Sequence, residues 1–254
     1  MLTENDRIRY ERNLLIPGVG EAGQERLANA KVLVVGLGGL GGPVCCYLAA
    51  AGVGTLGLLD ADTVELSNLQ RQILHAAPRL GCLKTESAVA VLSVLNPSVN
   101  TPLHSMALTE ANACDLIGGF DVVVEASDNF ETKFVVNDAC LTLGRPFATA
   151  GVVALSGQAL FVVPGRTPCL RCLLPDAPEG VPTSVEAGVL GAAAGLLGCV
   201  EALEALRWIT GLWEPPPDNA GRLHRLDGEA MRLNTLHVPR RADCPCARLG
   251  SPTS

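Results

Sequence analysis

The chain has 254 residues, a formal net charge of −7, 48% hydrophobic residues and a mean hydropathy of +0.30. That composition lies far from the disordered class, and the length allows one large filled core. An acidic chain with no Lys/Arg-rich run is unsuited to general nucleic-acid binding, which needs basic patches against phosphate.

The opening segment, 1–13, is charged and unlike a secretory leader. The most apolar stretch, 187–200, contains four glycines and is too short to span a bilayer. No membrane segment and a cytoplasmic location are expected. Ten cysteines in a chain of this kind are expected to be reduced. Cys45, Cys46, Cys114, Cys140 and Cys199 sit singly in apolar segments and read as buried thiols.

In chain order, two short helices are predicted over 4–13 and 21–30, then a buried strand over 31–36. A glycine-rich turn leads into an Ala/Leu helix through 51, stopped by Gly52 and Gly54. Further predicted elements are a strand over 55–60, a helix over 83–95 closed by Asn96-Pro97, and strands over 99–104 and 121–125 flanking a helix over 109–117. A helix over 130–143 and strands over 146–153 and 158–163 follow. Residues 164–182 are rich in Pro and Gly and read as a long irregular loop. A buried helix over 189–210 precedes a proline break at 215–217. A hairpin is predicted from 223–226 and 231–236, with Asp227-Gly228 in its turn. Strands alternating with helices predict an α/β fold: a Rossmann-like, mostly parallel sheet extended by antiparallel strands.

Gly36, Gly38, Gly39 and Gly41 lie between a predicted strand and a predicted helix. In that context glycines let a phosphate approach the backbone, and the helix N-terminus offers unpaired amides and partial positive charge. Asp60 ends the second strand, where an acid commonly bonds ribose hydroxyls. These features fit NAD as well as ATP, so a nicotinamide-dependent oxidoreductase remains open at this point. Arg71 and Lys84 follow, the cations that a triphosphate needs near the turn. Asp128, just past the strand over 121–125, reads either as a magnesium ligand or as a helix N-cap.

The segments Arg9-Tyr10-Glu11-Arg12, GLGGLG at 36–41, LLDADTVELSNLQRQ at 58–72, 81–84, Ala126-Ser127-Asp128-Asn129, Cys169-Leu170-Arg171-Cys172 and SVEAGV at 184–189 resemble the MoeB/ThiF/HesA family of ubiquitin-activating-enzyme-like adenylyltransferases. The resemblance runs from residue 9 to the C-terminus and implies one adenylation domain over 1–254. Its nucleotide-binding part is about 31–150, and its carrier-binding and zinc-tail part about 151–254. It implies adenylation, by ATP and magnesium, of the Gly-Gly C-terminus of a small ubiquitin-like sulfur carrier, with pyrophosphate released. The molybdopterin-synthase small-subunit type is expected first, with thiamine and tRNA-thiolation carriers as alternatives. It places Asp60 on ribose, Arg71 and Lys84 on phosphates and Asp128 on magnesium. Asp62, Asn68, Gln72 and Asn129 complete the expected nucleotide set. It further implies a homodimer in which Arg12 reaches into the partner's site. The sulfur is expected from a separate donor protein.

Cys169 and Cys172 form a C-x-x-C pair, and Cys244 and Cys246 a C-x-C pair. Two such pairs point to a structural four-thiolate zinc site, with a redox dithiol as the rival reading. Family members similar to this chain carry C-x-x-C at both positions. Ser184 stands where many relatives have cysteine. A serine without an adjacent base is a weak nucleophile, so no covalent carrier intermediate is expected there, and Ser184 reads as a loop residue. The loop over 175–186 is expected to cover the carrier tail.

Overall fold

The structure is a computed structural model that describes residues 2–178, 180, 184–216 and 220–248. Three helices, α1 (Glu4–Arg9), α2 (Glu11–Leu14) and α3 (Gly20–Asn29), lead into β1 (Lys31–Val35). Then come α4 (Gly41–Ala50), β2 (Thr55–Leu59), α5 (Lys84–Leu95), β3 (Leu103–His104), α6 (Glu110–Gly118), β4 (Val122–Glu125), α7 (Phe130–Leu143), β5 (Phe147–Val153) and β6 (Ser156–Val162). The remainder is α8 (Leu170–Leu173), α9 (Ser184–Ala187), α10 (Gly191–Thr210), β7 (Gly221–Asp227) and β8 (Arg232–Val238).

The strands form one eight-stranded sheet in the order β3-β2-β1-β4-β5-β6-β7-β8. β3 through β5 are parallel, and β6, β7 and β8 join antiparallel. This is the expected α/β class. The central strands carry apolar residues at consecutive positions because helices cover both faces. Val32 and Val34 of β1 pack into one core with α4, α5 and α10, while Leu33 and Val35 pack into a second core with α6 and α7. The strand order reverses between β1 and β4, so the carboxyl ends of β1, β2 and β4 open on a common crevice.

Five expectations need correction, one of them the buried thiols: Cys45 and Cys140 are buried, but Cys46 and Cys199 are only partly buried and Cys114 is exposed. The helix expected over 4–13 is divided at Tyr10, whose buried hydroxyl accepts a 2.8 Å bond from Asn96 Nδ2. Tertiary anchoring of the ring outweighs helix continuation. The strand expected over 99–104 contracts to Leu103–His104, with an isolated bridge from Asn100 to Thr55. Pro102 interrupts it by lacking an amide donor, although its carbonyl still accepts from Leu58 at 2.9 Å. Ser184 is not in a loop but opens α9, and α8 forms within the segment expected to be irregular. The loop over 175–186 and the proline break at 215–217 fall partly outside the described residues. Among the described residues no helix is long and apolar enough to cross a membrane.

Candidate functional site

The glycine turn is built by close backbone packing. Gly36 has φ +91°, and a Cβ there would sit 2.9 Å from the Ala126 carbonyl oxygen. At Gly41 a Cβ would come within 1.9 Å of the Gly36 carbonyl oxygen. Neither position accepts a side chain. The Leu37 peptide is clamped at both ends. Its amide donates to Asp60 Oδ2 at 2.7 Å, and its carbonyl accepts from His75 Nε2 at 2.9 Å. Because a carbonyl only accepts, His75 carries its proton on Nε2, and Nδ1 accepts from the Ser87 hydroxyl at 2.9 Å. Burial, first of all, lowers the His75 pKa and keeps the ring neutral. The turn runs directly into α4, where the Gly42 amide donates to the Gly38 carbonyl at 2.9 Å and Pro43 carries no amide.

The segment after β2 wraps back onto this turn. Asn68 ends a short 3-10 turn (Leu66–Asn68) and accepts from the Glu65 amide at 3.1 Å. Its carbonyl receives the amides of Arg71 (3.1 Å) and Gln72 (2.9 Å). Both side chains then lie along the glycines: a Cβ on Gly39 would touch Arg71 Cγ at 3.5 Å, and one on Gly38 would touch Gln72 Nε2 at 3.6 Å. Gln72 Oε1 is buried with no hydrogen-bond partner among the described residues. Lys84, the first residue of α5, is buried and donates to Asp62 at 2.7 Å, with Asp60 Oδ1 at 3.8 Å. Asp60 also accepts from the Asp62 amide at 2.9 Å, so each of its oxygens retains a lone pair for a ligand.

Beyond β4, Asn129 is the residue that caps α7, accepting from the Thr132 amide at 2.8 Å. The N-cap role considered for Asp128 therefore falls to its neighbour, and Asp128 lies exposed at the carboxyl end of β4. Lys133, which no motif singles out, is buried beneath it. Its ammonium donates to Glu125 Oε2 (2.7 Å), the Ser127 carbonyl (2.9 Å) and the Ala150 carbonyl (2.5 Å), using all three protons. Glu125, fully buried, accepts further from the Thr149 hydroxyl at 2.6 Å and from the Ser127 amide at 2.9 Å and hydroxyl. This network fixes the loop that presents Asp128. The sequence signal was an acid closing an apolar strand (Val122–Glu125), with a lysine eight residues on.

Glu201 of α10 is also buried, and among the described residues neither carboxylate oxygen has a hydrogen-bond partner. Burial first, then repulsion from Glu125, pushes its pKa well up, while Lys133 pulls the other way. A pKa raised on folding stabilises the native state below the unfolded value and loses that contribution as pH rises. Above pH about 4.3, wild type is expected to lose stability more steeply than Glu201→Gln, with a limiting difference of about 1.4 kcal/mol per pH unit. Urea midpoints measured from pH 4 to pH 8 check this. Parallel pH profiles would contradict it.

The glycine turn, the segment after β2 and the loop after β4 line one cavity of about 950 Å³, near the upper end for ligand pockets. Gly36, Gly38, Gly39, Asp60, Asp62, Asn68, Arg71, Gln72, Lys84, Asp128 and Asn129 all border it, while Gly41 lies behind the turn. One half is polar. The other extends over the face of β5, β6 and β7, past Leu160, Leu223 and Arg225. Arg12 is not brought to this cavity by its own chain: its side chain is 85% exposed, with Glu11 at 3.7 Å.

Away from the cavity, Cys169, Cys172, Cys244 and Cys246 converge, all buried, with their sulfur atoms within 4.8 Å of one another. Cys169 and Cys244 are 3.6 Å apart, and Cys172 and Cys246 3.3 Å. Hydrogen bonds from Cys169 and then Cys246 draw the Cys172 thiol down, while Cys172 and Cys246 drive Cys169 up. Arg171, between the first pair, is held by Asp138 at 2.7 Å and lies over the Phe134 ring at 4.5 Å.

Comparison with known proteins agrees with this architecture. "Adenylyltransferase and sulfurtransferase MOCS3" of Sus scrofa is 44% identical over 246 residues, covering 96% of this chain and 53% of that protein. The protein of the same name from Drosophila grimshawi is 43% identical over 247 residues, covering 96% and 54%. The chain therefore spans about half the length of the curated relatives it matches. A crystal structure of E. coli MccB with MccA-N7isoASN superposes with a TM-score of 0.83 at 22% identity, covering 95% of this chain and 74% of that one. MccB with ATP gives 0.78, also at 22% identity, covering 97% and 82%. The ThiF family model matches residues 10–246, and with these relatives it establishes that the chain belongs to the ThiF family.

Proposed function

We propose that this chain is an ATP-dependent adenylyltransferase, one adenylation domain acting on the C-terminal carboxylate of a small ubiquitin-like sulfur carrier. The observation that carries the reading is the meeting of the glycine turn, Arg71, Lys84 and Asp128 around one cavity. Its support from relatives is the name adenylyltransferase on proteins 43–44% identical to it.

In the proposed reaction a carboxylate oxygen bonds to the α-phosphorus of ATP. The bond from that phosphorus to the bridging oxygen breaks, and pyrophosphate leaves with the electron pair. No proton need move, because the carboxylate arrives ionised. Catalysis then rests on positioning and charge neutralisation. The turn amides hold phosphate, Asp60 holds ribose, and Asp62, Asn68, Gln72 and Asn129 border the nucleotide. Arg71 and Lys84 offset the charge that develops on phosphate. Asp128 suits magnesium, since hard cations take carboxylate oxygens and Asn129 rather than Asp128 serves as the helix cap. Bound there, magnesium would supply further neutralisation of the triphosphate.

Arg12 fits the same reading if a second copy receives it. It is exposed, and Ile8, Leu15 and Ile16 beside it are 71%, 66% and 47% exposed, an apolar patch suited to a homodimer. For the carrier, the molybdopterin-synthase small-subunit type is favoured over thiamine and tRNA-thiolation carriers. A nicotinamide oxidoreductase is disfavoured, since the site gathers cations for a polyphosphate and His75 is spent supporting the turn. The test is ATP–pyrophosphate exchange with a Gly-Gly-ended carrier. Exchange is expected only with carrier present, and its absence with every candidate carrier would sink the reading.

The four thiols are proposed to hold structural zinc. Tetrahedral zinc with bonds of about 2.3 Å sets its sulfurs about 3.8 Å apart, close to the 3.6 and 3.3 Å found. The C-x-C spacing therefore does not prevent Cys244 and Cys246 from facing the C-x-x-C pair. Elemental analysis is expected to give one zinc per chain, and much less in Cys172→Ser. A metal-free wild type purified without chelator would favour the dithiol reading.

A further inference from the structure

Among the glycines that line the cavity, Gly151 is one that the fold does not require. Gly157, its neighbour across the β5–β6 hairpin, could not carry a side chain: a Cβ there would come within 2.3 Å of the Gly151 carbonyl oxygen and 2.5 Å of Leu197 Cδ1. Gly151 itself has no positive φ, and among the described residues a Cβ built on it meets no atom within 4 Å. It lies inside β5, paired with Gln158 of β6, where a β-branched residue would strengthen the strand and glycine weakens it. The space left open is cavity, since Gly151 is part of its wall. The β5–β6 register is unbroken, which removes a bulge as the reason, so the glycine marks a place where a ligand or another backbone approaches closely.

Its position says which backbone. Side chains alternate along a strand, so Thr149, Gly151 and Val153 share a face. Thr149 bonds Glu125, and the Ala150 carbonyl takes the Lys133 ammonium, both in the network behind Asp128. Gly151 is about 7 Å farther along the strand. Across the sheet its row continues through Gln158 to Arg225. Gly151 therefore sits at the junction of the polar half with the half that lies over β5, β6 and β7.

We propose that Gly151 is a specificity-determining residue: it sets the depth of the groove along which the substrate's terminal backbone lies on β5 as it reaches the α-phosphate. This rests on the adenylyltransferase reading above. A methyl group raises the groove floor by about 1.5 Å, and a leucine side chain occupies the passage. A narrow Gly-Gly terminus fits over a bare strand. Exclusion here is steric and independent of nucleotide contacts.

The test compares wild type, Gly151→Ala and Gly151→Leu by carrier-dependent ATP–pyrophosphate exchange, nucleotide binding and thermal melting. Gly151→Leu is expected to lose about 100-fold in kcat/KM for carrier, the scale on which misplacement by about 1 Å acts. Gly151→Ala should lose less. ATP affinity should stay at the wild-type value in both, and Tm should not fall below it, since glycine weakens the strand. In direct binding, wild type should prefer the full-length carrier over one lacking its last two residues, and Gly151→Leu should bind the two equally. Unchanged kcat/KM in Gly151→Leu with an active wild type overturns this inference alone, as does an equal loss of ATP affinity. An inactive wild type with every carrier overturns both this inference and the reading beneath it. Should Gly151→Leu misfold, the alanine variant decides: no loss of carrier kcat/KM there overturns the proposal.

Discussion

Lys133→Met is expected to lower the unfolding free energy by about 3–5 kcal/mol, the usual result of removing one partner from a buried ion pair. The magnitude follows from what stays behind. Glu125 is fully buried, and the Lys133 ammonium is the cation on it, at 2.7 Å. Methionine fills much of the same volume but donates nothing. The carbonyls of Ser127 and Ala150 lose their donor in the same step. A hydroxyl from Thr149 and the amide and hydroxyl of Ser127 continue to solvate the carboxylate but do not neutralise it. Urea unfolding of wild type, Lys133→Met, Glu125→Gln and the double variant measures the pair. Once the charge to be balanced is gone, the double variant should be more stable than Lys133→Met. A loss below about 1 kcal/mol in Lys133→Met would show that Glu125 does not depend on the ammonium.

Lys84→Ala is expected to lower kcat for carrier adenylation by about 10²–10³-fold, the range for deleting one preorganised electrostatic donor from an active site. Lys84 is buried between Asp60 and Asp62, on the cavity wall facing the glycine turn. In the ligand-free chain its charge offsets the two acids. On the proposed reading, a triphosphate entering the cavity would meet the same charge at its phosphate oxygens, and charge developing there during displacement would be stabilised without reorganisation. The alanine variant removes this and leaves two carboxylates beside an anionic substrate. Lys84→Arg is not a silent replacement, because a guanidinium fork differs from a point charge in shape and hydration. Single-turnover rates separate chemistry from binding. If Lys84→Ala lowers Tm yet keeps the wild-type single-turnover rate, the lysine serves only to pair Asp60 and Asp62.

The two residues exemplify different degrees of legibility. Lys84, Arg71, Asp60 and Asp128 were readable because local pattern places them: an acid ending a strand, a cation opening a helix, a carboxylate just past a buried strand. Strand ends in a parallel sheet converge on one crevice, so chain order alone brings those positions together. Lys133 and Glu125 are only weakly signalled, by an acid closing an apolar strand with a lysine eight residues on. Within its helix Lys133 resembles any amphipathic charge, and only the packing of α7 against β4 and β5 turns it inward. His75 was missed for a related reason. Its role depends on the Leu37 carbonyl, 38 residues away, which no local spacing reports.

The sequence by itself determined most of the elements, the parallel-to-antiparallel sheet and the four cysteines that gather in one cluster. Periodicity, glycine placement and strand-end charges act over a few residues and survive translation into structure. Tertiary structure alone decided the break at Tyr10, the contraction of the strand before His104, the cap at Asn129 rather than Asp128, and the burial of Glu201 without a hydrogen-bond partner among the described residues. It also revealed Gly151 as an opening in a wall. Each of these depends on which distant side chain or carbonyl fills the space beside a residue, and that is fixed only when the layers pack.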